Sequence, residues 1–455
     1  MSDTIAAIAT GLVVSAIGII RLSGDSAIEI AKTVFAPSSG KKLSDYPDRT
    51  LVFGSLHSTG GELLDRCLCT ISHGPKSYTG ENTAEFQCHG SPAVLRMALE
   101  ALFSCGARQA AAGEFTKRAF LNGRMELTQA EAVIDLIEAE SPQAVINSAG
   151  QLNGVLQQKI DSIYSDLVDI ISHYQAVLDY PDEGVEEFQL SAYKNQLGEA
   201  KERLSRLVSS FESGRVMRSG IKTAIVGKPN AGKSSLMNSL LGYDRAIVTD
   251  IPGTTRDTIE ETITLGGVLL RLIDTAGLRS TNDPIEKIGV DRAKLAAESC
   301  QLLLAVFDGS ESFDPSALEY FSQAGDGVKR IAVINKLDLP QKLEMSALEA
   351  GFNRVCQVSA LNGEGIGELE QAISELFPLP SVPAGEILTN VRHFDAVSAA
   401  LSSIDSALSA MKEGETPDIV LTRVEEGLLS LGQLSGKVLT EDVTQRVFSR
   451  FCVGK

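Results

Sequence analysis

The chain has 455 residues, 43% hydrophobic and 22% charged, with a mean hydropathy of +0.05. That length predicts two to four domains, and the lack of any uncharged apolar stretch of about 18 residues excludes a membrane-spanning helix. The formal net charge of −18 excludes wholesale coating by nucleic acid, and seven cysteines scattered without pairing or metal-ligand spacing indicate the reduced thiols of a cytoplasmic protein.

In chain order, residues 5–20 form an apolar run broken by small residues. Asp3 precedes it and no basic segment does, so it reads as a first buried strand rather than a signal peptide. Short strands at 13–22, 51–56 and 68–72, Gly/Pro-rich turns and a helix at 92–105 predict an α+β domain over residues 1–124. This segment is nearly neutral, with 12 Lys/Arg against 11 Asp/Glu, so any contact with RNA phosphates is expected here. Residues 125–214 carry 5 against 16 and turn helical. Leu156, Ile160, Ile163, Leu167, Ile171, Tyr174 and Leu178 recur at helical spacing, as do Tyr193, Leu197, Leu204, Leu207 and Phe211 after an acidic loop at Pro181. The same periodicity returns after the Pro-rich linker at 378–383, in Phe394, Val397, Leu401, Ile404 and Leu408, then Val420, Val424, Leu428, Leu431 and Leu434. Residues 125–214 and 380–455 therefore predict one all-α domain split by an insertion at 215–379.

The insertion opens with a strand at 223–226 that runs into Gly227-Lys228-Pro229-Asn230-Ala231-Gly232-Lys233-Ser234 and an apolar-periodic helix. This is a phosphate-cradling loop in its strand–loop–helix context, which predicts an α/β P-loop G domain. Asn230, Ala231, Gly232, Lys233, Ser234 and Ser235 are expected around the phosphates, with Lys233 reaching the β- and γ-phosphates and Ser234 ligating Mg²⁺. Further strands end in Asp274-Thr275-Ala276-Gly277, in Asn335-Lys336-Leu337-Asp338 and in Ser359-Ala360-Leu361. Four motifs in this order, each at the carboxyl end of a strand, specify a guanine nucleotide. Asp338 can accept from guanine N1–H and N2–H₂ together, whereas adenine would leave that carboxylate unpaired, a mismatch worth about 10⁴-fold. Asn335 would steady the loop, Lys336 would lay its stem along the ring and the Ala360 N–H would serve O6. Leu278 stands where small signalling GTPases carry a water-orienting Gln. Thr255 offers a second Mg²⁺ ligand, and Asn230 places a side-chain carbonyl near the transferred phosphoryl group.

The run Pro252-Gly253-Thr254-Thr255-Arg256-Asp257, with Asn230, Leu278, the turn Ser77-Tyr78-Thr79-Gly80-Glu81, the block from Gly113 to Gly123 and the terminal Cys452-Val453-Gly454-Lys455, resembles the MnmE (TrmE) family of tRNA-modifying GTPases over essentially the whole chain. The resemblance implies an N-terminal folate-binding domain that dimerises, a helical domain made of both flanks and an inserted G domain. It also implies a heterotetramer with the FAD-dependent partner MnmG (GidA), in which a one-carbon unit of 5-formyl- or 5,10-methylene-tetrahydrofolate serves carboxymethylaminomethyl-type modification at C5 of the wobble uridine (position 34) of certain tRNAs. Carried onto this sequence, the family's K⁺ site maps to Asn230, Thr249, Ile251 and Thr254, and its water-orienting carboxylate to Glu286. The folate ligands map to Arg21, Glu85, Arg124 and Lys455, and Cys452 is either a participant in the modification reaction or a buried thiol. Two positions depart from the family: Arg124 replaces a frequent Lys, and Gly11-Leu12-Val13-Val14-Ser15-Ala16 replaces a Gly-rich loop.

The expected protein is thus a cytoplasmic, dimeric, K⁺-dependent GTPase of tRNA modification with Lys233, Thr255, Glu286 and Cys452 as catalytic residues, and no membrane partner. The competing reading is a ribosome-assembly switch GTPase. Such a protein has no use for the folate residues or the Cys452 to Lys455 tail, and would bring a basic RNA module. A prenylation box at Cys452 is disfavoured by Gly454, the terminal Lys455 and the lack of a polybasic stretch.

Overall fold

The computed structural model describes residues 3–179, 189–244, 261–273, 297–320, 324–325, 327–378, 382–436, 447–449 and 451–454. The chain divides into two compact units, one of Met1–Ile137, Gln151–Ala200 and Ala399–Lys455, the other of Glu138–Gly150 and Lys201–Ser398.

The first unit contains β1 (Ile5–Ile8), β2 (Ser15–Ser23), β3 (Phe35–Pro37), β4 (Val52–His57), β5 (Leu63–Ser72), β6 (Thr83–Gly90) and β7 (Arg108–Gln109) in one sheet of order β3-β4-β5-β6-β2-β1-β7. The apolar run at 5–20 is not one strand. It forms β1 and β2, paired antiparallel, and Leu12, Val13 and Val14 of the family-divergent loop between them are exposed. One face of the sheet is covered by helices Ala27–Val34 and Pro92–Ser104, packing Ile20, Leu22, Cys67, Cys69, Ile71, Ala84, Phe86 and Cys88 into a core with Leu95 and Leu102. Strand alternation then sends residues of the opposite parity to the other face. Register sets Arg21 opposite Glu85 and Glu85 opposite Thr70, a row across three strands on the face away from that core. In the same unit, helix Val155–Asp179 packs against helix Pro417–Ser435. Leu156, Ile160, Ile163, Leu167 and Ile171 are buried on one side, Val420, Val424, Leu431 and Leu434 on the other, so each amphipathic stripe covers its partner.

The second unit is built on β8 (Ile221–Val226), β9 (Glu261–Leu265), β10 (Val268–Ile273), β11 (Leu302–Asp308), β12 (Lys329–Asn335) and β13 (Arg354–Gln357), in the order β13-β12-β11-β8-β10-β9. All neighbours are parallel except β9 and β10. β11 carries none of the motifs and was not anticipated. Its unbroken apolar run is what a strand buried on both faces requires, and it lies between β8 and β12. Elsewhere in this unit the rings of Phe211 and Phe394 stack at 4.2 Å, Leu388 N–H donates to Ser210 Oγ at 3.1 Å, and buried Asn147 accepts from Gly385 N–H at 2.8 Å. Residues before and after the insertion therefore meet side chain to side chain. Among the described residues no helix is long and apolar enough to cross a membrane.

Candidate functional site

β8 ends in a turn that only particular residues can make. Gly227, Asn230 and Gly232 have φ of +153°, +63° and +94°. A Cβ on Gly227 would lie 2.3 Å from the Val306 carbonyl oxygen, and one on Gly232 would lie 2.0 Å from Asn335 Nδ2, so the turn presses against β11 on one side and the end of β12 on the other. Helix Lys233–Asp244 begins directly after it, and the N–H groups at its N-terminus are the anion-cradling end of a helix. The Lys233 ammonium folds over the turn, donating to the carbonyls of Gly227 at 2.9 Å and Lys228 at 2.7 Å, and burial lowers its pKa. Asn230 and Ser235 are exposed and Ser234 is half-buried in the first helical turn.

At the other end of the site Asn335 is 2% exposed. Its Nδ2 donates to the Ala231 carbonyl at 3.0 Å, and its Oδ1 accepts from Ala360 N–H at 3.0 Å. One amide thus ties the phosphate turn, the end of β12 and the loop after β13 together. The Ala360 N–H assigned above to guanine O6 is here satisfied by Asn335, because a buried amide oxygen needs a donor. Asp338 is exposed, with Oδ1 accepting from Ser359 Oγ at 2.6 Å, and Leu361 beside it is 82% exposed. Lys336, at φ +66°, forms an ion pair with Asp308 at the end of β11. Burial alone would raise the Asp308 pKa, but the Lys336 ammonium and the Ser310 donors outweigh it and hold the carboxyl below its usual range. Asp308 belongs to none of the sequence motifs; its signal is an acidic residue closing an apolar run at a strand's carboxyl end. Thr249, Ile251, Thr254, Thr255, Asp274, Thr275, Ala276, Gly277, Leu278 and Glu286 lie outside the described residues. Of the expected Mg²⁺ and K⁺ ligands, Ser234 and Asn230 are therefore the ones placed.

The second constellation lies on the open face of the first unit. Arg21 Nε donates to Glu85 Oε1 at 2.7 Å, and its guanidinium lies 5.4 Å from the Tyr78 ring centre and 5.7 Å from that of Phe115. Arg124 Nε donates to the Ser77 carbonyl at 3.2 Å. Glu85, Arg124 and Thr70 line a cavity of about 630 Å³, within the range of small-molecule sites, and the buried Thr70 Oγ1 has no hydrogen-bond partner. The structure thus brings Arg21, Glu85 and Arg124 together; Lys455 lies outside the described residues.

The turn at 77–81 and the block at 113–123 face each other. Tyr78 Oη bonds Thr116 Oγ1 at 2.9 Å, Asn122 Nδ2 donates to the Thr79 carbonyl at 2.7 Å, and Arg118 pairs with Glu81 at 3.0 Å. Arg118 also reaches Asp3 at 2.7 Å and Glu114 at 3.0 Å, while Arg108 meets Glu114 at 2.6 Å. Burial alone would raise the Glu114 pKa, but Arg108, the Ala111 N–H and Arg118 outweigh it and bring it to about 2. The chain's last described residues join this frame. Gly113 N–H donates to the Cys452 carbonyl at 3.3 Å, Ala112 pairs with Val453, and Phe448 and Phe451 pack on Leu127 and Ala130. The Cys452 thiol is exposed; the other cysteines are buried or half-buried, and burial pushes Cys300 up to about 11 and Cys356 to about 12. Ligand-type atoms of Asp65, Cys67 and Cys88 converge within 4.8 Å, a grouping invisible to sequence spacing because Cys88 comes from the neighbouring strand.

A parallel sheet with a glycine turn and a helix N-terminus at the carboxyl end of its central strand defines a phosphate-loop protein, here joined in one chain to an antiparallel-sheet unit with its own cavity. Residues 4–124 match the family model described as GTP-binding protein TrmE N-terminus, and residues 127–452 match that of the MnmE helical domain. Three proteins named tRNA modification GTPase MnmE align over all of this chain: that of Clostridioides difficile at 41% identity over 100% of its length, that of Acetivibrio thermocellus at 42% over 99%, and that of Symbiobacterium thermophilum at 39% over 99%. The chain belongs to the MnmE (TrmE) family of tRNA modification GTPases.

Proposed function

We propose that this protein is a K⁺-dependent, dimeric GTPase that, with a FAD-dependent MnmG-type partner, uses a tetrahydrofolate one-carbon unit to modify C5 of the wobble uridine of certain tRNAs. The observation that carries this reading is the cavity on the open face of the first unit. A switch GTPase of ribosome assembly needs the phosphate loop but not a second pocket that pairs a carboxylate with cations.

The residues of that cavity fit a reduced folate. Glu85 can accept from the pterin N–H edge, the partnerless Thr70 hydroxyl supplies a further donor or acceptor beside it, and Arg124 can meet a glutamate carboxylate. Arg21 pairs with Glu85 at 2.7 Å and holds it aimed, with the Tyr78 and Phe115 rings beside its guanidinium. When bound, the folate supplies a one-carbon unit; the chain's residues orient it.

In the nucleotide site, the Asp338 carboxylate, held by Ser359, selects guanine, and Asn335 locks the base loop to the phosphate turn. Lys233 exchanges its two loop carbonyls for phosphate oxygens when nucleotide enters, since a charged acceptor makes the stronger hydrogen bond. Ser234 would ligate Mg²⁺ and the exposed Asn230 oxygen K⁺, which places positive charge against the transferred phosphoryl group. Mass spectrometry of wobble nucleosides from cells lacking this gene tests the reading: loss of the carboxymethylaminomethyl-type nucleoside supports it, and an unchanged nucleoside profile with a ribosome-assembly defect favours the switch. GTP turnover at equal ionic strength should be faster in K⁺ than in Na⁺; equal rates would remove the potassium role.

A further inference from the structure

Three cations, Arg49, Lys76 and Arg124, line the cavity over Thr70 and Glu85. Glu85 is the carboxylate on that lining, and Arg21 already pairs with it at 2.7 Å. None of the three cations forms a salt bridge among the described residues. Arg49 Nη2 donates to the Lys76 carbonyl at 2.8 Å, Arg124 Nε to the Ser77 carbonyl, and Asp48, the residue before Arg49, is bonded to His73 at 2.7 Å. Arg49 is held in place by its own backbone, with φ +63° and its N–H on the Ile71 carbonyl at 2.9 Å at the end of β5. In a chain of net charge −18, cations grouped without carboxylate partners create a local positive field suited to a multiply charged anion.

The lining is also graded. Thr70 Oγ1 is buried, whereas Arg49, Lys76 and Arg124 are exposed. A reduced folate has the same gradient, a neutral pterin at one end and a glutamate at the other. In cells its tail is commonly extended by γ-linked glutamates, each adding one carboxylate. We infer that Arg49 and Lys76 form a subsite for a poly-γ-glutamate tail, so that polyglutamylated reduced folates are the ligand class of this cavity. The inference rests on the folate reading above. Because the two added cations are exposed, their contribution is electrostatic and screened by salt.

Calorimetry on the full-length protein with monoglutamyl and triglutamyl 5-formyltetrahydrofolate, at low and high salt, tests it. The triglutamyl form is expected to bind about 10-fold tighter at low salt, with the advantage shrinking as salt rises. The double variant Arg49→Gln, Lys76→Gln should lose that advantage. Equal affinities for the two forms in the wild-type protein, or an advantage that survives in the double variant, overturns the tail subsite while leaving the folate reading standing. No binding of either form removes the folate reading and the subsite with it. If a tRNA instead depends on Arg49 and Lys76 while the triglutamyl form gains nothing, the cations serve phosphates and the subsite is wrong.

Discussion

The two sites are made from different materials. The phosphate turn of the second unit is built from backbone: carbonyls, helix N–H groups and glycine conformations, cross-braced by the single amide of Asn335. The cavity of the first unit is built from side chains that reach it from β5, β6 and the loops at 49–51, 76–78 and 124. A backbone site tolerates almost no change at a few positions. A side-chain site spreads its dependence over many, each replaceable at moderate cost.

The largest effect that sharpens this contrast is expected from Gly232→Ala. Its Cβ would displace the Asn335 amide and occupy a left-handed conformation, costing about 3 kcal/mol from strain and broken buried hydrogen bonds. Urea unfolding of the second unit should show that loss together with lost GTP binding, while folate binding persists. Unchanged stability would mean that the turn is plastic and the contrast false. Asn335→Ala should cost about 2 kcal/mol, by leaving the Ala231 carbonyl and the Ala360 N–H without the partner they now share. Guanine-nucleotide affinity measured by fluorescence titration should fall with it. Asp338→Asn, at an exposed position, should leave stability alone and shift preference from GTP toward xanthosine triphosphate in a competition assay. A stability loss equal to that of Asn335→Ala would place Asp338 among the braces.

The smallest effect belongs to the first unit and to pH. The Glu114 pKa, depressed from 4.5 to about 2, means that the folded state holds this carboxylate ionised where the unfolded chain would take up a proton. Its contribution is full above about pH 4.5 and is lost as pH falls through about 2. Hydrogen exchange of residues 3–124 should therefore stay level above pH 5, after correction for intrinsic rates, and report weakening below it. Arg108→Ala should flatten that slope, and an unaltered slope would remove the Arg108–Glu114–Arg118 network from the account.

The same difference in materials governs what the sequence reveals. The phosphate turn and the Asn335 to Asp338 and Ser359 to Leu361 segments are contiguous in sequence because each occupies a single strand end, so spacing alone exposes them. The Arg21–Glu85–Thr70 row is set by strand register, which one sequence does not encode locally; Arg21 and Glu85 came only through resemblance, and Thr70 did not come at all. β11 carries no motif, and a short apolar run such as Leu302 to Phe307 cannot be told from a buried helical segment by periodicity alone. Taking 5–20 as one strand failed because β1 and β2 share a composition, and the exposed Leu12 to Val14 reversal is apolar where turns usually are polar.

The docking of residues 447–449 and 451–454 on the frame around Gly113 also has a consequence for biosynthesis. Ala112, Gly113, Leu127 and Ala130 leave the ribosome long before Phe448, Phe451 and Val453 are made. At 5–20 residues per second the interval is on the order of tens of seconds. Through that interval the helices Glu114–Leu121 and Leu127–Ile137 present the apolar surface that Phe448 and Phe451 later cover, beside an unclaimed pairing edge at Ala112. A chaperone that masks apolar surface on nascent chains would find its window here, and a ribosome stalled before residue 447 would release a chain with this seam still open.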